Sequence, residues 1–328
     1  MDNLLLYVKN LGIKFNTNDG VFEAVNNISF KINKGESIGI IGESGCGKSV
    51  TAMSILKLLQ NNAIVNGEIC YVDDNRIIDI NKLKSNSKDL YHIRQKNISM
   101  IFQEPMTSFG PMHTIGNQIN ESVRLKYGYS DSESEKVTLD LLTKVKIPNP
   151  NMNINNYPHQ LSGGMRQRAM IAMALACSPD LLIADEPTTA LDVTIQSSIL
   201  NLINKLRQEL NMSIMFISHN LGVVYNICDK IYVMYMGNIV EEGDAYEIFN
   251  NPLHPYTKGL IKSIPSLKGR KKKRLFSIKG NVPEKYSNYT GCVYSDRCND
   301  FIKGKCDSFV PNLVKQNKKH FVSCFLYN

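Results

Sequence analysis

The sequence predicts an α/β protein in which an antiparallel β region comes first, a parallel sheet with crossover helices follows, and a small cysteine-containing extension ends the chain. Short β-favouring runs broken by Gly, Asn and Asp fill the first 30 residues, which is typical of antiparallel strands joined by turns. Between residues 37 and 217, short apolar runs alternate with helical periodicity. Four of the eight cysteines fall at or after Cys292.

The individual elements follow from the same patterns. Strands are predicted at residues 4–9, 12–15, 21–30, 37–41, 181–184 and 213–217, and a hairpin at 231–240 that turns at Gly237 and Asn238. Helices are predicted at residues 49–60, 115–126, 132–146, 165–177 and 193–210. The polar, Asn-rich stretch from 105 to 158 is broken by prolines and predicts a helical insertion.

Composition bounds the class of protein. The chain has 328 residues, of which 43% are hydrophobic and 21% charged, so a wholly disordered, collagen-like or coiled-coil protein is excluded. It contains no apolar run of the roughly 18 residues that a membrane span needs. Asp2 stands where a signal peptide carries positive charge, so we expect the protein in the cytoplasm.

The net charge of +8 is concentrated near the C-terminus. From Lys268 onward, 14 Lys and Arg stand against 4 Asp and Glu, and residues 271–274 are all basic. Such a run could bind nucleic acid or an anionic membrane surface, or it could be a solvated linker between domains.

A phosphate-binding motif follows the strand predicted at 37–41. The eight residues that fit G-x-x-x-x-G-K-[ST] are Gly42, Glu43, Ser44, Gly45, Cys46, Gly47, Lys48 and Ser49, and Val50 continues into the predicted helix. Glycines let consecutive amides wrap the phosphates, the lysine neutralises their charge, and the hydroxyl can ligate Mg²⁺. The sequence therefore predicts a nucleotide site here.

Two later segments resemble one family of P-loop proteins. The first resembles the signature sequence of ATP-binding cassette (ABC) ATPases and includes Leu161, Ser162, Gly163, Gly164 and Met165. The second is an apolar strand that ends in Asp185 and Glu186, where one carboxylate can hold Mg²⁺ and the other can polarise a water molecule. Their order along the chain identifies the protein as resembling an ABC ATPase, with a RecA-like core, an N-terminal antiparallel β subdomain and a helical signature subdomain.

The resemblance assigns further roles. Gln103 resembles the glutamine that contacts Mg²⁺, water and the transport partner, Asp192 lies in the D-loop, and His219 resembles the histidine that contacts the γ-phosphate. Met165 and Asn220 depart from the family's usual Gln and Asp. An aromatic residue of the N-terminal sheet stacks on adenine, for which Phe15 is preferred slightly over Phe22.

The segment at 251–260 is similar to the start of the C-terminal extension of peptide and nickel importer ATPases, and the chain most resembles the D-type ATPase of oligopeptide/dipeptide permeases. The resemblance implies an ATPase domain at 1–265, with its helical subdomain at about 105–178, and a basic, cysteine-containing extension at 266–328. Peptide is the implied cargo, and nickel or a metal chelate stays open.

The extension carries Cys292, Cys298, Cys306 and Cys324. Some members of the family bind a 4Fe–4S cluster with this motif. The spacing matches neither a usual zinc ribbon nor a ferredoxin run, so zinc and free structural thiols also stay open. Disulfides are disfavoured in the cytosol, which favours a metal.

The family hydrolyses ATP between two ABC domains placed head to tail. The resemblance implies that Lys48 and the loop amides hold the phosphates, that Ser49, Asp185 and Gln103 serve Mg²⁺, and that Glu186 activates water. The signature residues close on the partner's ATP. Implied partners are two transmembrane permease subunits, a second, F-type ATPase subunit and, indirectly, an extracytoplasmic solute-binding protein, with the chain peripheral on the cytoplasmic face of the cell membrane.

Two other function classes are alternatives to an ABC importer ATPase. A soluble ABC ATPase acting on nucleic acid would use the basic run, but aromatic residues are not interleaved there, so no nucleic acid partner is expected. A P-loop kinase for a small metabolite leaves the signature segment and His219 without a role.

Overall fold

The computed structural model describes residues 3–18, 20–73, 76–104, 108–189, 192–264, 277–281, 283 and 290–328. The chain divides into two compact units, each of which is considered by itself. The first comprises residues 1–33, 37–82 and 216–328, and the second comprises residues 34–36 and 83–215. The predicted boundary at 265/266 and the basic run at 271–274 lie outside the described residues.

The described strands are β1 (Leu4–Thr17), β2 (Gly20–Asn33), β3 (Ser37–Ile41), β4 (Ala63–Asp73), β5 (Arg76–Asp79), β6 (Ile98–Ile101), β7 (Leu181–Asp185), β8 (Ser213–Ser218), β9 (Lys230–Tyr235), β10 (Asn238–Asp244), β11 (Leu313–Asn317) and β12 (His320–Ser323). The described α-helices are α1 (Lys48–Ile55), α2 (Lys88–His92), α3 (Ile115–Tyr127), α4 (Asp131–Lys144), α5 (Pro150–Asn153), α6 (Gly163–Leu175), α7 (Val193–Leu210), α8 (Leu221–Ile227), α9 (Ala245–Asn250) and α10 (Pro255–Lys262).

An antiparallel sheet opens the first unit, as predicted. Its order is β2-β1-β4-β5. The two short strands predicted at 4–9 and 12–15 form one strand, β1, which is irregular between Val8 and Leu11 and pairs with β2 through Val8↔Phe30 and Phe15↔Phe22. Leu11 and Ile13 are fully buried, so the sheet covers a core on one face.

The first unit also holds strands of a mixed sheet in the order β11-β12-β10-β9-β3. Strand β3 has the predicted bounds, is buried throughout and runs parallel to β9, as expected of a continuous apolar run. The β9–β10 hairpin turns at Met236 and Gly237, whose φ angles of 44° and 72° suit a type I′ turn. The turn therefore lies one residue before the predicted position.

The second unit contains strands in the order β8-β7-β6, to which β8 contributes its first three residues, and the predicted helical insertion. Strands β6 and β7 are parallel, with Ile98 opposite Leu181. Helix α4 begins at a capping box in which Ser130 and Glu133 satisfy each other's backbone N–H groups. Helix α7 has the predicted bounds.

Helix α1 is shorter than predicted. It ends at Ile55 rather than residue 60, because Lys57 adopts a left-handed conformation with φ 50° and the amide of Leu58 donates to the carbonyl of Met53. Within the described ranges, no helix is both long enough and apolar enough to cross a bilayer.

Candidate functional site

The predicted phosphate-binding loop connects β3 to α1 within the first unit. Gly47 forms the N-cap of α1 with φ 100°, and a Cβ atom there would press on the carbonyl of Ala24. A Cβ atom on Gly42 would overlap the carbonyl of Met234. Glycine is required at both positions because the backbone is packed too closely for any other residue.

Within this loop, the side chain of Lys48 is folded back onto the backbone. Its ammonium donates to the carbonyls of Gly42 at 2.8 Å and Glu43 at 2.9 Å, and the residue is only 5% exposed. Ser44 and Gly45, by contrast, are exposed, and Ser49 and Val50 are half-buried. Burial raises the pKa of the neighbouring Cys46 thiol, which keeps it a neutral packing group. The loop thus combines a buried lysine with exposed residues at 44 and 45.

Both candidates for the adenine contact lie in the β1–β2 hairpin. Phe15 and Phe22 are directly opposite each other and both are half-buried. Each offers part of an aromatic face, so the preference for Phe15 stays a prediction.

The carboxylates predicted to act in hydrolysis lie at the end of β7 in the second unit. Asp185 closes the strand and is 3% exposed, and Glu186 follows it at 8%. The side-chain amide of Gln103 donates to Glu186 Oε2 at 3.2 Å, and the hydroxyl of Thr189 donates to the same oxygen at 2.9 Å. The structure therefore brings Gln103 and Glu186 together and adds Thr189, which the sequence analysis missed.

The backbone of Glu186 is strained. Its φ of 45° lies in the left-handed region, which costs a residue with a side chain about 1–3 kcal/mol. Strain of this kind is retained where the surrounding structure fixes a side chain for function. The strained backbone therefore indicates a functional role for Glu186 without reference to any sequence motif.

The signature segment begins α6 in the same unit. Ser162 is the N-cap, and its hydroxyl accepts from the amide of Met165 at 3.4 Å. Ser162 and Gly163 are exposed, Gly164 is half-buried with Ile195 beneath it, and Leu161 is buried as an anchor. The accessible end of a thirteen-residue helix is suited to an anionic group.

Two further predicted residues stand at helix starts. Asp192 caps α7 by accepting from the amide of Ile195 at 2.9 Å; its D-loop neighbours at 190 and 191 lie outside the described residues. His219 is exposed directly after β8, and Asn220 caps α8 by accepting from the amide of Gly222 at 3.1 Å. The departure from Asp at position 220 thus keeps a capping oxygen.

All eight cysteines lie among the described residues and are free thiols. Cys292, Cys306 and Cys324 are buried and Cys298 is half-buried. Burial raises the pKa of Cys292 and of Cys298 to about 11, and the proximity of the other thiols of the group adds to this rise. The four thiols gather in one region, but in the described part of the chain no three His, Cys, Asp or Glu side chains are grouped closely enough to hold a metal ion.

The sequence analysis also missed two residues that contact the phosphate-binding loop and a third that contacts one of them. Tyr256 accepts a hydrogen bond from the amide of Glu43 at 2.8 Å. Arg297 pairs with the carboxylate of Glu43, and Tyr235 contacts Arg297. Tyr256 lies in the segment at 251–260 and Arg297 directly precedes Cys298, yet no local pattern ties either to Glu43.

Comparison with known proteins covers nearly the whole chain. Residues 25–189 match a family model described as ABC transporter, and residues 240–306 match one described as oligopeptide/dipeptide transporter, C-terminal region. A probable peptide ABC transporter ATP-binding protein, y4tR of Sinorhizobium fredii, is 45% identical over 99% of this chain and 96% of its own. The oligopeptide transport ATP-binding protein OppD of Haemophilus influenzae is 44% identical over 99% of this chain and 98% of its own. Among solved structures, the dimeric post-hydrolysis state of the ATP-binding cassette MJ0796 bound to ADP and Pi is similar with a TM-score of 0.65, 29% identity and coverage of 74% of this chain and 99% of the other.

Proposed function

Because the chain belongs to the ABC transporter family of ATP-binding proteins, we propose that it is the ATP-hydrolysing subunit that powers a membrane importer for oligopeptides or dipeptides. One observation carries the proposal. The likeness continues past the ATPase core into a C-terminal region described for oligopeptide/dipeptide transporters, and a relative that is similar over nearly its whole length is named as an oligopeptide transport protein.

We propose that the phosphate-binding loop holds ATP through the amides at 44–49 and the ammonium of Lys48. The hydroxyl of Ser49 and the carboxylate of Asp185 would ligate Mg²⁺, which would neutralise charge on the phosphate oxygens. A buried carboxylate at a strand end suits a hard cation, and Asp185 is such a group. Phe15 would stack on the adenine.

Glu186 is proposed as the general base. It would accept a proton from the water that attacks the γ-phosphorus, while the bond from that phosphorus to the oxygen bridging to the β-phosphate breaks and ADP leaves. The hydrogen bonds from Gln103 and Thr189 fix the orientation of the carboxylate, which supports this role. His219 would contact the γ-phosphate.

A second ABC ATPase subunit, of the F type, is the proposed partner in catalysis. Each nucleotide would lie between the loop of one subunit and the signature segment of the other, with Asp192 near the interface between the two subunits. The exposure of Ser162 and Gly163 at the start of α6 supports this arrangement. The similar cassette MJ0796 is described as dimeric with ADP and Pi bound.

The wider machine would contain two transmembrane permease subunits, which receive the closing motion, and an extracytoplasmic solute-binding protein that delivers cargo. We place the chain on the cytoplasmic face of the cell membrane, with an ATPase domain at 1–265, its helical subdomain at about 105–178, and the extension at 266–328. No nucleic acid partner is proposed.

We also propose that the four C-terminal cysteines, Cys292, Cys298, Cys306 and Cys324, hold a 4Fe–4S cluster. Four free thiols in an extension with short strands, which we propose to lie in the cytosol, favour a metal over disulfides. Their described arrangement does not itself form a metal site, so the proposal rests on the resemblance and on redox compartment. Iron and sulfide in the anaerobically purified protein would support the cluster. Zinc would indicate a zinc site instead, and neither metal together with four titratable thiols would indicate free structural thiols.

The experiment for the transport function is affinity purification of the tagged chain from solubilised membranes of its own organism, followed by mass spectrometry of the accompanying proteins and any small molecule. Two permease subunits, a second ABC ATPase and a peptide-loaded binding protein are expected. A nickel ion or metal chelate in place of the peptide would change the substrate. Recovery of the chain without permeases, or with nucleic acid, would contradict the importer.

A further inference from the structure

An ion pair between a buried arginine and a half-buried glutamate joins the C-terminal extension to the phosphate-binding loop. The guanidinium of Arg297 binds the carboxylate of Glu43 through two N–H groups, at 2.6 Å and 3.0 Å. The Arg297 side chain is 5% exposed, and the two residues are 254 positions apart in sequence. Paired contacts between guanidinium and carboxylate fix orientation as well as distance.

Arg297 has its remaining donors committed as well. It donates to the carbonyls of Lys279 at 3.0 Å and Gly280 at 3.1 Å, and it approaches the hydroxyl of Tyr235 at 3.4 Å. Tyr294, one turn earlier in the extension, packs edge-on against the ring of Tyr235 at 5.1 Å. Contacts outside the loop therefore also fix the position of the guanidinium.

Glu43 is held through its backbone too. Its amide donates to the hydroxyl of Tyr256 at 2.8 Å, and its carbonyl accepts from the ammonium of Lys48 at 2.9 Å. Tyr256 is fully buried, and burial raises its pKa well above the usual value, so the phenol stays neutral as a hydrogen-bonding group. Three different side chains thus fix the residue that leads into the exposed residues Ser44 and Gly45.

We propose that Arg297 is a positioning residue for the phosphate-binding loop, so that the C-terminal extension sets the affinity of the ATP site through Glu43. The loop binds phosphate with backbone amides, and amides that are aligned before the ligand arrives bind it more tightly because less ordering is required. The inference rests on the ATP-binding part of the proposed function and is independent of the transported cargo.

The test measures the dissociation constant of Mg-ATP for the full-length subunit by calorimetry. Arg297→Gln is expected to raise this constant roughly 10- to 100-fold, as loss of a residue that orients a binding group does. Arg297→Lys keeps the charge but loses the paired contact, so its dissociation constant should lie between those of the wild type and Arg297→Gln. Arg124→Gln is the matched control, because Arg124 forms an exposed pair with Asp131 on the helical insertion.

A double-mutant cycle separates positioning from simple attachment. Glu43→Gln alone should weaken ATP binding about as much as Arg297→Gln, and the double variant should lose nothing more, because the pair acts as one unit. Steady-state kinetics should show a raised KM for ATP with kcat nearly unchanged. If Arg297→Gln fails to fold, Glu43→Gln and Arg297→Lys still test the inference through the dissociation constant of Mg-ATP.

Two results would overturn the inference. One is an Arg297→Gln subunit that binds ATP within twofold of the wild type while limited proteolysis shows a loosened extension; that result would make the pair an attachment only. The other is a double variant whose loss of ATP affinity equals the product of the fold-losses of the two single variants, which would mean that the two residues act independently. Failure of the wild-type chain to bind ATP would instead contradict the proposed function itself.

Discussion

The phosphate-binding loop and the signature segment both precede a helix, but the molecule holds them in different ways. Glu43 in the loop is contacted by Lys48, Tyr256 and Arg297, all of them buried. The signature segment is fixed from within: Ser162 caps its own helix and is exposed to solvent. Tyr256 and Arg297, which support the loop, are distant from it in sequence, whereas the cap of the signature segment is a local hydrogen bond.

The contrast fits two different tasks. A loop that binds phosphate with its own amides gains affinity from being ordered in advance, so distant side chains that hold it are useful. A segment that must meet a ligand on another subunit has to stay accessible, and a helix N-terminus with a short cap achieves this without covering the surface. The proposed division of labour is that the first segment binds ATP and the second completes a partner's site.

The largest expected effect separates binding from hydrolysis. Glu186→Gln keeps the shape of the side chain and removes its basicity, so we expect the ATPase rate of the assembled complex to fall by roughly 10²- to 10⁴-fold. The dissociation constant for ATP should stay within a few-fold of the wild type, because the loop is unchanged. Single-turnover hydrolysis and calorimetry measure the two quantities.

Glu135→Gln is the control for this variant, since Glu135 is exposed on α4. It should leave both quantities unchanged. Wild-type turnover by Glu186→Gln in the presence of the partner would refute the assignment of Glu186 as general base, and loss of ATP binding would refute the proposed separation of ATP binding from hydrolysis.

A smaller effect is expected at the signature segment. Ser162→Ala should leave ATP binding by the isolated subunit unchanged and lower the ATPase rate of the assembled complex roughly 10- to 100-fold, because one donor to the partner's nucleotide is lost. Ser130→Ala is a closely matched control. Ser130 caps α4 and accepts from the amide of Glu133 at 3.4 Å, the same distance as in the signature cap.

Both serine variants should lose about 1 kcal/mol of stability through the missing cap. Only Ser162→Ala should lose ATPase activity. Equal activity in the two variants would mean that Ser162 acts as a cap alone, and weaker ATP binding by the isolated Ser162→Ala subunit would place the segment at its own nucleotide.

Residues that lie together in the sequence were predicted well. The strand at 37–41 and the helix at 193–210 have the predicted bounds, because the first is a short continuous apolar run and the second a long run with helical periodicity. The loop at 42–49 lies between a strand and a helix, and Asp185 and Glu186 lie at a strand end, as consecutive residues of each motif predict; their roles in ATP binding and hydrolysis stay predictions.

Contacts between distant residues were not predicted. Arg297 reaches Glu43 across 254 positions, and the β11–β12 hairpin joins β10 through Val322 opposite Glu241. A single sequence contains no local pattern for such pairs, because tertiary packing determines them. The end of α1 was missed for a related reason, since one left-handed residue, Lys57, decides it.

The smallest expected effect concerns the support of the loop by α10. His254 caps α10 by accepting from the amide of Tyr256 at 3.1 Å, and burial lowers its pKa to about 4; Lys258 also lowers it, whereas nearby Glu241 raises it. Above pH 6.5 the folded and unfolded chains both carry a neutral His254, so it has no effect there. Between pH 6.5 and 4 only the unfolded chain gains the proton, and the free energy of unfolding should fall by about 1 kcal/mol at pH 5.5.

The variant His254→Asn tests this effect, because Asn keeps a capping oxygen and cannot titrate. His254→Asn should remove that part of the acid destabilisation. The control His159→Asn, at an exposed histidine, should not. Urea titrations at pH 7.5 and 5.5 measure the difference, and an unchanged pH dependence in His254→Asn would show that the α10 cap is not a point at which acid loosens the support of the loop.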